Sequence, residues 1–198
     1  MRQKRVQLAA AVAIVSIVSV VATTAMAGDG DSARAKLDGY QEISAPAEPP
    51  GQAASSVSTL GNGTFKAKIR SNEIRFKLSY EDLEGGNVRF AHIHFAQRAV
   101  NGGVSAFLCG GGDKPPCPPT SGTVEGTIDP ADVIGPASQG IAPGEFDELV
   151  RAIEAGATYA NVHTQAWPGG EIRGQIDAGG DDRDDDDRDD DDRDDDDD

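Results

Sequence analysis

Residues 64–80 read TFKAKIRSNEIRFKLSY, and their alternation decides the fold. In EIRFKLSY, Ile74, Phe76, Leu78 and Tyr80 fall on one side, and Glu73, Arg75, Lys77 and Ser79 on the other. A period of two marks a β-strand with one buried and one wet face. TFKAKIR repeats the pattern with Phe65, Ala67 and Ile69 inward. Arg70-Ser71-Asn72 separates the two runs, so the spacing predicts a hairpin.

The same reading extends in both directions. Residues 35–43 (AKLDGYQEI) predict a first strand, ended by Pro46, Pro49 and Pro50, with a loop over 44–56. Residues 87–95, 103–108 and 122–128 predict further short strands. Residues 157–164 and 170–176 make a closing pair around the turn at Trp167-Pro168-Gly169. Only 129–156 breaks the period. There Phe146, Leu149, Val150 and Ile153 recur at helical spacing, with Pro143 before them and Gly156 after. This predicts a helix over about 144–155, preceded by a shorter turn at 130–134. Many short strands and one helix in a late connection predict a mainly β, antiparallel β-sandwich rather than a parallel α/β fold.

The two ends differ from this middle. MRQKRVQLAAAVAIVSIVSVVATTAMA has cations at Arg2, Lys4 and Arg5, an apolar run, and the small-x-small site Ala25-Met26-Ala27. That is the pattern of a cleaved secretory signal over 1–27, and it predicts a secreted, cell-surface or periplasmic protein with no membrane contact after cleavage. Residues 28–33 read as a linker and 34–178 as one domain. Residues 179–198 form an Asp-rich tail whose last 18 residues hold 15 Asp and 3 Arg, a net −12 of the chain's −16. Like charges repel, and such a segment cannot bury a core, so the tail is expected to be disordered. It suits weak calcium binding through carboxylates, or simple solvation. An acidic balance argues against nucleic acid, whose phosphates require a basic footprint. Cys109 and Cys117, in an exported chain, predict an intramolecular disulfide around a Gly- and Pro-rich loop.

Three histidines are present: His92 and His94 in FAHIHFA, and His163 in YANVHT. A His-x-His pair on a strand puts both imidazoles on one face, about 6–7 Å apart. A third imidazole from a neighbouring strand would complete a ligand set for copper or zinc. With Ala91, Ile93 and Phe95 supplying the core side, His92 and His94 face outward. One outer surface would then collect them with His163, Tyr159, Glu171 and Arg173. The first reading of these residues is a polar network that joins strands, and the metal site is its alternative. Nucleophilic catalysis has no motif to support it.

Four segments in order, LDGYQEISAPAEPP, AHIHFAQRAVNGGVSAFL, GATYANVHT and PGGEIRGQI, give the chain a family resemblance. It resembles the CHRD domain, named from its repeats in chordin and found also in exported bacterial proteins. The hallmark is the segment Gly170-Glu171-Ile172-Arg173-Gly174. The chordin-type version carries Cys after the Arg; here Gly174 stands there and can form no disulfide. The resemblance implies an immunoglobulin-like sandwich with a distant likeness to copper–zinc superoxide dismutases. Those enzymes also carry a His-x-His strand, but they use further histidines that this chain lacks, so the likeness supplies no dismutase site. It implies no enzymatic activity. The expected function is an exported, non-catalytic binding or interaction module for an unknown extracellular protein or surface ligand. The alternative is a copper- or zinc-binding protein using His92, His94 and His163, with redox chemistry at copper.

Overall fold

The computed structural model describes residues 31–44, 51 and 54–179. The signal segment and the tail beyond residue 179 lie outside the described residues.

The hairpin forms as its alternation requires. Strand β2 (Asn62–Arg70) pairs antiparallel with β3 (Glu73–Glu81), with Phe65 opposite Leu78 and Ala67 opposite Phe76. Every second side chain is buried. Ile74 and Leu78 are fully enclosed, and burial of such a side chain contributes roughly 1.5–3 kcal/mol. The rings of Phe65 and Phe76 stack across the pair at 6.4 Å.

Strand β1 (Ser32–Asp38) pairs with β2 on the side away from β3. It begins earlier and ends earlier than the 35–43 run, starting inside the stretch read as linker. The reason for the early end is local. The Asp38 side chain accepts from Gln41 N, capping a 3-10 turn over Gly39–Gln41. Gly39 also packs so close to Val57 O that a Cβ would lie 2.2 Å from it. The loop beyond this turn is closed by a bridge between Ser44 and Ser55.

Strands β4 (Val88–Phe95), β5 (Gly103–Cys109), β6 (Gly122–Ile128), β7 (Thr158–Thr164), β8 (Ile172–Gln175) and the short β9 (Asp177–Ala178) complete the sheet. The order is β5-β4-β7-β8-β1-β2-β3-β6, with β9 beside β1, and every pairing is antiparallel. The sheet curls until it is nearly closed into a barrel-like sandwich. Its interior holds one apolar core, from Ala33 and Leu37 on β1 to Val162 and Ile172 on β7 and β8.

Among the described residues there is one α-helix, α1 (Phe146–Glu154), which buries Phe146, Leu149, Ala152 and Ile153 against this core. Asp147 and Glu148 occupy its first turn, where carboxylates favour the helix dipole. Gly156, at φ +64, ends it in the left-handed conformation that glycine adopts most readily. The expected turn before it is a 3-10 turn over Pro130–Asp132, closed by a reciprocal capping box between Asp129 and Asp132. A disulfide joins Cys109, at the end of β5, to Cys117, their Cα atoms 5.1 Å apart. Among the described residues, no helix is long and apolar enough to cross a membrane.

Candidate metal centre

β4 and β7 are neighbours, with His94 opposite Tyr159, His92 opposite Asn161 and Phe90 opposite His163. Cross-strand partners share a face, so the register brings all three imidazoles together. One ring nitrogen from each lies within 4.8 Å of the others. The convergence expected of His92, His94 and His163 therefore holds.

Their exposure does not match the expectation. His92 and His94 do turn away from Ala91 and Ile93, which are fully buried in the core. Yet they are not on an outer surface: each of the three histidines is only 7% exposed. Their second covering comes from segments whose approach alternation does not report. The ring of Phe107, on β5, meets His92 edge-on at 4.5 Å, and Phe90 stacks on His92 at 5.8 Å. The turn at Pro168 closes over His163, and the segment leading to Gly102 closes over His94.

The hydrogen bonds assign the protons. His94 Nδ1 lies 3.0 Å from Gly102 O, and His163 Nδ1 lies 3.0 Å from Pro168 O. A carbonyl can only accept, so both Nδ1 atoms carry hydrogen and both Nε2 atoms carry a lone pair. His163 Nε2 accepts from His92 Nδ1 at 3.1 Å. His94 Nε2 is buried and has no hydrogen-bond partner. A buried polar atom without a partner costs about 1–3 kcal/mol; Ser105 Oγ, Thr158 Oγ1 and Gln175 Oε1 share this state among the described residues, and His94 Nε2 differs from them in belonging to a cluster of three possible ligands. Burial pushes the His92 imidazole down to about 3, with His163 and His94 adding to the effect. Burial pushes His94 down to about 4, against the opposing pull of the Gly102 carbonyl. His163 is also lowered by burial. All three rings are neutral at pH 7, the form that binds a metal.

A second layer holds the rings. Tyr159 stacks nearly parallel on His94, ring centres 4.8 Å apart, and its hydroxyl accepts from Gly102 N. The Arg173 guanidinium lies over the Tyr159 ring, 3.4 Å from its centre. Arg173 is 1% exposed, and it donates to Val100 O at 2.8 Å, Gln97 O at 3.2 Å and the Asn101 side-chain Oδ1 at 3.3 Å. It thereby ties down the segment that ends in Gly102, the acceptor for His94. Tyr159 and Arg173 both lie in this layer around the histidines.

Glu171 does not. Its carboxylate accepts from Thr59 Oγ1, Thr164 Oγ1, Glu84 N and Gly85 N. It holds the 59–61 and 83–85 segments rather than the histidines, because β8 begins only at Ile172 and the chain turns at Gly170, where φ is +129. The carboxylate near the site is one the sequence reading missed. Glu42 is buried and accepts from Asn161 Nδ2 at 2.5 Å and from Ile43 N. Burial raises its pKa, while Ile43, Asn161 and Arg173 pull the other way. Phe107 and Asn161 were missed as well. Neither carries a motif; only register and loop closure bring them in.

A family model for the CHRD domain matches residues 33–176. The chain belongs to the CHRD-domain family. No curated protein and no solved structure matches it. The segment 170–174 has a physical account in this structure. A Cβ on Gly170 would sit 2.4 Å from both Asn161 and Glu42. Glu171 clamps two loops, Ile172 is fully buried, and Arg173 anchors the cover of the histidines. Gly174 lets β8 approach β1 so closely that a Cβ would lie 2.3 Å from Lys36 O.

As a donor set, three neutral imidazoles with no thiolate suit copper or zinc rather than calcium or magnesium. The residues present fit such an ion. Two Nε2 lone pairs are already directed by carbonyls behind them, which is the usual outer-shell arrangement of a ligating histidine. His92 completes the set once its proton moves to Nε2. With metal–nitrogen bonds of about 2.0–2.1 Å in a tetrahedral set, ligand atoms as much as 4.8 Å apart would have to close by about 1.4 Å.

Proposed function

We propose that this CHRD protein is an exported module that binds one copper or zinc ion at His92, His94 and His163, and that its role is binding rather than turnover. The buried, unpartnered Nε2 of His94 carries this reading. A purely structural network would be expected to satisfy that atom, whereas a bound cation satisfies it directly. Export is supported by the disulfide and by the signal pattern of residues 1–27. When bound, the ion would add Lewis acidity or, for copper, a one-electron couple. The chain's own residues bind it, keep the rings oriented through Gly102 and Pro168, and exclude most water through Phe107.

The test is calorimetric titration of the mature chain with zinc and with copper. One equivalent is expected to bind at micromolar or tighter Kd, and His94→Ala or His163→Ala is expected to weaken that step at least 100-fold. Acidic-tail binding would survive in both variants and is thereby separated. A Kd weaker than about 1 mM for both metals, or unchanged binding in the variants, ends the metal reading.

A further inference from the structure

The outward face of β1-β2-β3-β6 is basic, although the protein is acidic. Arg34 and Lys36 on β1, Lys66 and Lys68 on β2, and Arg75 and Lys77 on β3 all point to solvent. The register places like charges opposite one another: Arg34 faces Lys66, Lys66 faces Lys77, and Lys68 faces Arg75. Directly opposed like charges destabilise a sheet. Two acids relieve this face: Glu125 meets Lys77 at 3.1 Å and Glu73 meets Arg75 at 2.7 Å. Lys66, at the centre, and Lys36 make no ion pair among the described residues. A shallow groove runs over this face, lined by Ser32, Arg34, Lys66, Lys68, Arg75 and Lys77.

The described chain ends beside this surface. β9 pairs with β1, setting Asp177 opposite Arg34, and Gly179 N donates to Ser32 O. The Asp-rich run lies immediately C-terminal to this point, with 15 Asp and 3 Arg in residues 181–198. We infer that this C-terminal run folds back over the basic face of its own chain and occupies the groove between β1 and β3. Reach is ample: 19 residues extend to about 60 Å at roughly 3.3 Å each, while four strands span roughly 15 Å. The sign matches, the tether begins at the groove's edge, and the like-charge rows gain counter-charges. The interaction is electrostatic and exposed, so it weakens with salt. Outside polyanions would have to compete with the tail for the same cations. This surface belongs to other strands than β4 and β7, and the inference stands whether or not the histidines hold an ion.

The experiment uses the full mature chain and a variant of equal length in which the eight aspartates 184–187 and 189–192 become Asn. Amide shifts are compared by NMR at low salt and at about 0.5 M salt. Differences confined to residues 34–36, 64–68 and 75–77, independent of protein concentration and lost at high salt, are expected. Lys36→Gln/Lys66→Gln/Lys68→Gln is expected to abolish the same differences. Inorganic polyphosphate serves as the probe for an open face and is expected to bind the Asn variant at least tenfold more tightly than the wild type. Absent or scattered shift differences overturn the inference. So do equal polyphosphate affinities, and so do differences that grow with protein concentration, which would assign the tail to a second copy.

Discussion

Replacing Arg173 by Met tests whether one buried cation organises the histidine site. The side chain is 1% exposed, so its interactions are fully desolvated. Its bond to Val100 O is short at 2.8 Å, while those to Gln97 O and Asn101 are longer, at 3.2 and 3.3 Å. Counting one full charged hydrogen bond at about 1.5–3 kcal/mol and two weak ones at well under that, with about 2 kcal/mol for the contact on Tyr159, gives a gross loss of about 5 kcal/mol. Met returns some of this, because burying a guanidinium is itself costly and Met fills most of the volume. A net loss of about 3 kcal/mol is expected. For a domain of this size each kcal/mol moves Tm by about 2–4 °C, so scanning calorimetry should show a fall of about 6–12 °C. Arg173→Lys should recover less than half of it, because an ammonium has no planar fork to span three carbonyls. The freed segment carries Gly102, so metal affinity should fall in the same variant. A Met variant that melts within 2 °C of wild type would refute the reasoning.

Three further outcomes are expected. The folded-state pKa of His92 is pushed down to about 3 and that of His94 to about 4, both below the ordinary histidine value of 6.5. The unfolded chain therefore takes up protons first as pH falls, and stability, full above pH 6.5, is lost progressively below it. Urea unfolding at pH 7 and pH 4 should differ by about 3 kcal/mol for each of these two rings, and a flat profile would contradict their burial. Cys109→Ser/Cys117→Ser opens a loop closed over a separation of 8 residues and should lower stability by about 2.5 kcal/mol on the loop-entropy estimate, read from the same urea curves. Gly174→Ala places a methyl 2.3 Å from Lys36 O, a backbone atom that cannot step aside. Strands β1 and β8 must separate, and a loss of about 1–3 kcal/mol is expected; an unchanged urea midpoint would show that the sheet gives way there.

Alternation revealed most of the sheet. The hairpin at 62–81, the strands over 88–95, 103–109 and 122–128, and the helix at 146–154 follow from local pattern because one face of each is apolar and the other is not. Alternation also put His92, His94, His163, Tyr159 and Arg173 on the side away from the core. It could not say what else lies on that side. Phe107, the Pro168 turn and the segment ending in Gly102 turn an outer face into an interior. Their approach depends on bulges in the β4–β5 register and on long-range hydrogen bonds. Glu171 was misplaced for a related reason: just short of a strand's start, face assignment fails. Glu42 left no trace at all, since its partner Asn161 is 119 residues away.

The segment 97–101 is exposed along its whole length. By surface criteria it would be chosen first for an epitope tag, a dye or a designed insertion. Its carbonyls, however, are held from beneath by Arg173, and the next residue positions both His94 and Tyr159. A cargo added there would reach the interior of the protein by a single residue. Engineering that aims to leave the histidines untouched belongs instead at the Arg70–Glu73 hairpin, where Ser71 and Asn72 are exposed and bound to nothing in that site.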